Sequence, residues 1–440
     1  MTLFIISFLV VCFGLIYKSN YKYLCNELFW FVALWVFIFG VYFASRVNFG
    51  SYGLSLELII FLVIIFTSFF LGRKKAFQRK TYKVFQTDEE QKTWIFPLIG
   101  VTGVLMLLFD IWRLNGISAI IEREAGVKGD YSLSIIGIVG SLMVPILLVE
   151  GLYLIASKIK HRNSISIPGL LLLFIYIIPC VLDSGRETIL YSIIGILSIV
   201  GYKSYLKTPL VKPKKNKRRR LLVGTLSIAF IAGLLYIMYQ ISTDRFGETE
   251  IRVFLQENDV PSAVMKDAEG WGEFSFLYYN IVSYFGHQVP FLDFIFKDYQ
   301  GPYMFGMYEF NIISRRLPDS LGLDYMQVYD QIHKLYSTHR TNFGNGWFTV
   351  LGSFIIDYGR VGAIFVTFLC GYLIGMVRKK FLITLDSRYT ALLGVICLSM
   401  ISTVQLGPFY STHIYGAYIW WYFIFKNGKK QIVRKKYEGA

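Results

Sequence analysis

Charged residues are scarce in this 440-residue chain, at 17%, whereas 55% of its residues are hydrophobic and 18% are aromatic. Its mean hydropathy is +0.50. Soluble domains contain about 25% charged residues, so the shortage excludes an ordinary soluble protein. Repeated apolar runs of about 17 to 25 residues match the thickness of a bilayer's hydrocarbon core, and lipid forces each run to be helical. The sequence therefore predicts an all-α, polytopic membrane protein.

Cysteine is also scarce, and its five residues lie in or beside apolar runs without paired spacing: Cys12, Cys25, Cys180, Cys370 and Cys397. This pattern excludes a disulfide framework and a metal-binding cysteine motif. The chain also lacks a nucleotide-binding glycine loop, an HExxH motif and a G-x-S-x-G motif, and no D-x-D pair lies in its predicted external parts. Any transfer reaction is therefore expected to use a donor already activated in the membrane, without a metal or another cofactor.

Eleven apolar runs are predicted to span the membrane. They lie near residues 1–17, 28–45, 53–72, 94–112, 134–156, 167–182, 189–202, 221–242, 361–377, 389–405 and 413–425. The first has no basic leader and no small-residue cleavage signature, so we expect a span and not a removed signal peptide. A shorter apolar stretch, 347–356, is expected to form a re-entrant or interfacial helix before the ninth span.

Basic residues concentrate in alternate connections, which together hold 31 of the 45 Lys and Arg but six of the 29 Asp and Glu. These segments are 18–27, 73–92, 157–163, 203–220, 378–388 and the tail from residue 426. The positive-inside rule places them in the cytoplasm and the long segment 243–346 outside. The basic run 212–220 adjoins a predicted span, so we interpret it as a topology signal and expect no nucleic-acid partner.

Three parts are predicted along the chain. Residues 1–242 form an N-terminal membrane bundle of about eight spans, 243–346 form a large extracytoplasmic, tyrosine-rich region, and 347–440 form C-terminal membrane helices with a basic cytoplasmic tail. The second half does not repeat the first, which argues against a transporter built from related halves. We expect the functional site in the extracytoplasmic region, since it is the sizeable part of the chain outside the membrane.

Three carboxylates lie within or near the ends of apolar runs, where an ionised group needs a partner or water. They are Glu57, Asp110 and Glu150. For Asp110 we favour a structural pair with Arg113. For Glu150 a polar cavity and a structural pair with a neighbouring helix stay open.

Arginines in the predicted external parts are candidates for binding a lipid-linked phosphate, because the planar guanidinium matches phosphate oxygens. Arg186 lies in a very short turn between the sixth and seventh spans, and pairing with Asp183, Glu187 or a lipid head group is the alternative. Tyr308, Asn311 and Arg315 have the spacing of one helix face, and Arg316 points about 100° away. For Arg315 and Arg316 the alternative is an ion pair with Glu309, Asp319 or Asp324.

His339 and Arg340 precede a glycine-rich turn that contains Asn345. A histidine there could act as a general base near neutral pH, and the arginine could meet a leaving pyrophosphate; a structural role for the histidine is the alternative. Near the start of the ninth span, Asp357 and Arg360 are expected to pair with each other.

Two short stretches and the overall layout resemble the Wzy-type polymerases, the oligosaccharide repeat-unit polymerases for bacterial O-antigen and capsule. One stretch is Ser184-Gly185-Arg186 at the start of a span, followed by the aliphatic run 189–194. The other is Gly344-Asn345-Gly346-Trp347-Phe348-Thr349 followed by Asp357-Tyr358-Gly359-Arg360-Val361-Gly362. The latter is similar to the family's D-F-G-x-x-G pattern, with Tyr358 in place of Phe.

The resemblance implies a GT-C-like glycosyltransferase on the extracytoplasmic (periplasmic) side of the bacterial cytoplasmic membrane. It would move a growing glycan from undecaprenyl pyrophosphate to a sugar hydroxyl of the next lipid-linked repeat unit, with inversion. The expected groups for the pyrophosphate are Arg186, Arg315, Arg316 and Arg340. The candidate bases, in descending order, are Glu187, His339 and Glu309. The expected substrate-binding residues also include Tyr308, Asn311, Asn342 and Asn345.

The expected partners are the lipid-linked repeat units and membrane lipids. A regulator of chain length is a further candidate partner. An O-antigen ligase, which delivers the same donor's glycan to lipid A core, is the alternative enzyme. The alternative that is not an enzyme is a polysaccharide flippase or exporter. The long external segment argues against it, because such a protein is expected to have short external loops.

Overall fold

A computed structural model describes residues 22–45, 52–85, 94–121, 134–162, 164–182, 187–206, 285–310, 349–403, 411–426, 428 and 430–434. These residues are mostly helical. The predicted spans 1–17 and 221–242 lie outside them, as do both predicted domain boundaries. Every predicted span that falls on described residues is helical.

Apart from α8, the helices follow the predicted apolar runs. After a short 3-10 turn, Lys22–Cys25, the order is α1 Glu27–Ser45, α2 Leu56–Gln78, β1 Thr81–Phe85, α3 Ile95–Ile121, α4 Ile135–Met143, α5 Pro145–Arg162, α6 Ile167–Leu182 and α7 Glu187–Lys203. It continues with α8 Gln288–Asp298, α9 Thr349–Thr384, α10 Ser387–Ser402, α11 Thr412–Phe425 and β2 Lys430–Arg434.

Four stretches of helix in the described part of the chain are long and apolar enough to cross a membrane. They are Leu56–Gln78, Ile95–Arg113, Ile135–Arg162 and Thr349–Thr384. The shorter apolar helices are Glu27–Phe43, Ile167–Pro179, Thr188–Lys203 and Ser387–Ser402. The protein is therefore a membrane protein by the length and composition of its helices.

Helix α5 lies at the centre of the bundle. Each of its residues from Pro145 to Tyr153 is buried, and it packs on α3, α6, α7, α10 and α11. A helix that is apolar and buried all round belongs to a core and not to a surface. By contrast, α2 and α9 expose apolar side chains such as Val63, Val361 and Phe365, as lipid-facing helices do.

Helices α2 and α9 pack in parallel through small residues. The Ser68 hydroxyl donates to the Ile364 carbonyl at 2.8 Å, and a Cβ at Gly72 would overlap the Phe368 carbonyl oxygen. Close approach through small residues is how helices associate in lipid, where apolar burial gives no driving force. The two helices therefore start at one end of the bundle and finish at the other.

The end at which α2 and α9 finish is here called the basic end, because Arg73, Arg378 and Arg388 lie there. Helix α7 finishes beside α9, since the Tyr202 hydroxyl donates to the Leu385 carbonyl at 2.8 Å. The described parts of three basic connections, 73–85, 203–206 and 378–388, thus lie at one end of the bundle. The opposite end, which carries α8 and the start of α9, is here called the acidic end.

A two-stranded antiparallel sheet at the basic end departs from the all-α prediction. Strand β1 pairs with β2, with Thr81 opposite Arg434 and Phe85 opposite Lys430. The stretch Thr81–Phe85 alternates exposed and buried residues over its first four positions, which is a strand pattern. Its partner is the distant C-terminal tail, so the pairing could not be read from local sequence.

Candidate functional site at the acidic end

Asp357 is one of the residues that join the described part of segment 243–346 to the long apolar helices. Its buried carboxylate accepts hydrogen bonds from the backbone N–H of Tyr308, at 2.9 Å to Oδ1, and of Glu309, at 3.2 Å to Oδ2. Its carbonyl accepts from the N–H of Phe305 at 2.9 Å. Hydrogen bonds to an ionised acceptor are stronger than neutral ones. Asp357 therefore fixes residues 304–310, here called the site turn.

Two glycines make this contact possible. Gly306 in the site turn has φ of 95°, and a Cβ there would lie 2.6 Å from the Tyr358 hydroxyl oxygen. Gly359 has φ of 72° and breaks α9 into a short helix, 349–358, and the long helix that follows. The predicted short helix before the ninth span is thus confirmed, while its position relative to a membrane stays a prediction.

Arg360 binds α8 and not Asp357. Its Nε donates to the Phe296 carbonyl at 2.6 Å and its Nη2 to the Lys297 carbonyl at 2.9 Å. The guanidinium also lies over the Phe296 ring, 5.2 Å from its centroid. A cation at the C-terminus of a helix donates hydrogen bonds to the last carbonyls and interacts favourably with the helix dipole. The predicted Asp357–Arg360 pair is wrong, because the break at Gly359 sends the two side chains to different elements.

Helix α8 is also held to the start of α2. The buried Asp293 carboxylate accepts from the Ser55 hydroxyl at 2.5 Å, from the Gly53 N–H at 3.2 Å and from Lys297 Nζ at 2.9 Å. The Tyr52 hydroxyl donates to Asp298. Residues 285–310 are therefore attached to both α2 and α9. Because these two helices pack against each other, they hold the segment together.

Tyr299, the residue that follows α8, makes a further hydrogen bond in segment 285–310. The Tyr299 hydroxyl donates to the Pro302 carbonyl at 2.7 Å. Burial, together with the charge of Asp357, raises the pKa of this phenol well above its ordinary value. Tyr299 therefore stays neutral and acts as a hydrogen-bond donor at neutral pH.

A second group of buried polar side chains lies where α6, α7 and α11 meet, and the sequence reasoning missed it. The His413 ring contacts Tyr176 edge to face at 5.5 Å and Tyr191 at 6.5 Å between centroids. Thr188 and Ser192 lie on the same face of α7 as Tyr191 and are buried. A histidine near the start of the last apolar run was the available signal.

Of the predicted site residues, Tyr308 and Glu309 have described side chains. Both are buried in the site turn, at 5% and 2% exposure. Tyr308 lies in a turn, and the predicted helix beyond Phe310 lies outside the described residues. Glu187 is the first residue of α7. The others lie outside the described residues: Arg186, Asn311, Arg315, Arg316, His339, Arg340, Asn342 and Asn345.

The described residues that flank the segments holding those predicted site residues lie at the acidic end. Phe310, which precedes Asn311, contacts the Tyr415 ring of α11 at 5.9 Å. Val350, at the start of α9, donates its N–H to the Thr403 carbonyl of α10 at 2.8 Å. The start of α7 is joined to α11 through Tyr191 and His413. Three segments that are far apart in sequence thus reach one end of the bundle.

The structure also places the three carboxylates of the apolar runs. Glu57 is exposed in the first turn of α2. Asp110 lies 3.5 Å from Arg113, so the predicted pair is confirmed. It also accepts at 3.1 Å from the N–H of Ser134, the residue whose side chain caps α4. Glu150 is 4% exposed on the central helix, and no hydrogen bond or ion pair reaches it in the described structure.

Comparisons with protein-family models, with curated proteins and with solved structures find no match to this chain. The likeness to Wzy-type polymerases therefore stays a proposal. Among the described residues, no three His, Cys, Asp or Glu side chains lie close enough together to hold a metal ion.

Proposed function

We propose that this chain is a GT-C-like glycosyltransferase of about eleven spans that polymerises lipid-linked oligosaccharide repeat units. It transfers a growing glycan from undecaprenyl pyrophosphate to a hydroxyl of the next repeat unit, on the extracytoplasmic side of a bacterial cytoplasmic membrane. The observation that carries the proposal is the convergence, at the acidic end, of the chain segments that border all the predicted site residues.

The charge distribution supports the orientation. Basic side chains gather at the end where α2, α7 and α9 finish, which the positive-inside rule assigns to the cytoplasm. The acidic end then faces outside. A substrate held in the outer leaflet by its lipid presents its pyrophosphate and sugar at that level.

The reaction needs positive charge more than a proton donor. The acceptor hydroxyl oxygen forms a bond to the anomeric carbon of the donor sugar, and the bond from that carbon to the pyrophosphate oxygen breaks. The pyrophosphate leaves with the electron pair, and the hydroxyl proton passes to a base. Arg186, Arg315 and Arg340, with Arg316, would stabilise the departing anion without a metal.

The test is elongation by the purified protein in detergent, supplied with its native lipid-linked repeat unit and analysed as a ladder of products. We expect a chelator to be harmless and at least two of Arg186→Ala, Arg315→Ala and Arg340→Ala to abolish elongation. Arg113→Ala is the matched control, since Arg113 is a partly exposed cation of the acidic end that pairs with Asp110. Wild-type rates in all three variants, or no elongation by the wild type, would overturn the proposal.

A further inference from the structure

The backbone of the site turn is joined to α9 through Asp357. Three of its backbone N–H groups, those of Phe305, Tyr308 and Glu309, donate to oxygens of Asp357. The left-handed conformations of Phe305 and Gly306, with φ of 51° and 95°, allow the chain to curl around that carboxylate. A non-glycine residue in this region is strained and persists where its surroundings hold it.

Glu309 carries the one carboxylate of this turn. Its exposure is 2%, although it lies at the end of the bundle that meets water. The chain is fixed on both sides of it, by Asp357 at its own N–H and by the packing of Phe310 on Tyr415. A general base works from a fixed position within hydrogen-bond reach of the proton it removes.

Two buried hydroxyls near the turn point to a polar ligand. Ser353 lies one helical turn before Asp357, on the same face of the short helix, and is fully buried. Tyr415, which contacts Phe310, is 3% exposed. Neither hydroxyl has a hydrogen-bond partner in the described structure. A buried hydroxyl that is left unpaired has lost its hydrogen bonds to water, so native structures usually give such a group a water or a ligand as partner.

Other helical hydroxyls of this protein show what Ser353 lacks. Thr367, Ser399 and Thr390 each donate to the carbonyl four residues earlier, at 2.7, 2.9 and 3.0 Å. Ser353 makes no such bond to Thr349, although the same carbonyl position precedes it. Like the hydroxyls of Thr188 and Ser192, that of Ser353 is therefore available to a group outside its own helix.

We propose that Asp357 is a positioning residue that holds Glu309 as the base for the acceptor sugar hydroxyl, with Ser353 and Tyr415 binding that sugar. This inference rests on the proposed function and assigns its acceptor subsite. The hydroxyl proton passes to the Glu309 carboxylate as the oxygen bonds to the anomeric carbon. The electron pair of the breaking bond leaves with the pyrophosphate of the donor.

The experiment measures kcat and KM for elongation by purified wild type, Glu309→Gln, Asp357→Asn and the double variant. Glu309→Gln preserves shape and removes the base, so kcat should fall by about 100-fold or more with KM for the acceptor changed by less than about threefold. In Asp357→Asn an amide N–H faces a backbone N–H, the turn shifts, and kcat should fall by about 10- to 100-fold.

The double variant separates positioning from a merely structural role. If Asp357 acts through Glu309, adding Asp357→Asn to Glu309→Gln should lower kcat by less than about twofold more. Asp110→Asn is the matched control, because Asp110 is another buried carboxylate at the acidic end that binds a backbone N–H. It should keep the wild-type kcat once the folded fraction is taken into account.

Each outcome decides the matter. The inference would be overturned by a kcat for Glu309→Gln within threefold of the wild-type value, or by effects on kcat that multiply in the double variant. In either case, elongation by the wild type would leave the proposed function standing. No elongation by the wild type would instead overturn the proposed function. If Asp357→Asn does not fold, Gly306→Ala moves the same turn from the Tyr358 side and should show the same non-additivity with Glu309→Gln.

Discussion

Gly371 of α9 lies against Phe69 of α2 so closely that a Cβ at position 371 would overlap the Phe69 carbonyl oxygen. Backbone cannot move aside as a flexible side chain can. The contact sits in the middle of the parallel helix pair that supports α8 and the site turn. Stability of this pair therefore decides whether the acidic end keeps its shape.

We expect Gly371→Ala to destabilise the protein by about 2 kcal/mol, because overpacking a tight interface costs about 1–3 kcal/mol. The measurement is the midpoint of thermal unfolding in detergent. Gly394→Ala is the control: its nearest neighbour is the flexible Leu152 side chain, at 3.2 Å from the added Cβ. An equal midpoint for the two variants would contradict the close packing of α2 on α9.

A buried charge cluster should dominate the stability of the basic end. The Glu27 carboxylate is fully buried, 3.0 Å from Arg73 Nε and 3.8 Å from Arg378 Nε. Glu27→Gln leaves Arg378 buried without its counter-charge, so we expect a loss of about 3 kcal/mol or more. Thermal unfolding of Glu27→Gln, Arg378→Gln and the double variant measures this loss.

The double variant should cost less than the sum of the single ones, because neither charge is then left alone. Strict additivity would show that the two side chains do not interact. The elongation rate per folded molecule should stay unchanged in Glu27→Gln, since the cluster lies at the end opposite the site turn.

The two hydrogen bonds from the Arg360 guanidinium should stabilise the last turn of α8. Arg360→Lys keeps the charge but cannot reach two carbonyls with one planar group, so the last turn of α8 should open more often. Hydrogen exchange of the amides near Tyr299, whose N–H donates to the Ile295 carbonyl at 3.3 Å, should become faster. Exchange in Ser387–Ser402 serves as the internal control, and unchanged exchange near Tyr299 would contradict the capping role.

The orientation can be tested with single cysteines in a background in which the five native cysteines are replaced by alanine. Glu57→Cys lies exposed at the acidic end and Lys83→Cys lies exposed in β1 at the basic end. In intact cells a membrane-impermeant maleimide should label position 57 and not position 83. After permeabilisation it should label both positions. The reverse pattern would place the site turn in the cytoplasm and overturn the proposed function.

Local sequence was enough for features that depend on near neighbours. Asp110 and Arg113 pair as expected because three residues separate them on one helix. The apolar stretch before the ninth span forms a helix of its own, which Gly359 ends. Pairings across long distances were not accessible: β1 joins the C-terminal tail, and His413 joins Tyr176 and Tyr191 through packing of three helices.

The sequence by itself determined that this is a helical membrane protein, where the helices of its predicted spans lie and how its charges are sorted, because run length and composition decide what lipid accepts. It did not predict α8, which lies within the polar segment 243–346. Tertiary structure decided the partners of Asp357 and Arg360. Three residues apart, they would share a face of an unbroken helix, but the positive φ of Gly359 turns one carboxylate to the site turn and one guanidinium to α8. Such a choice depends on which elements pack at each side of the break, and no local pattern records it.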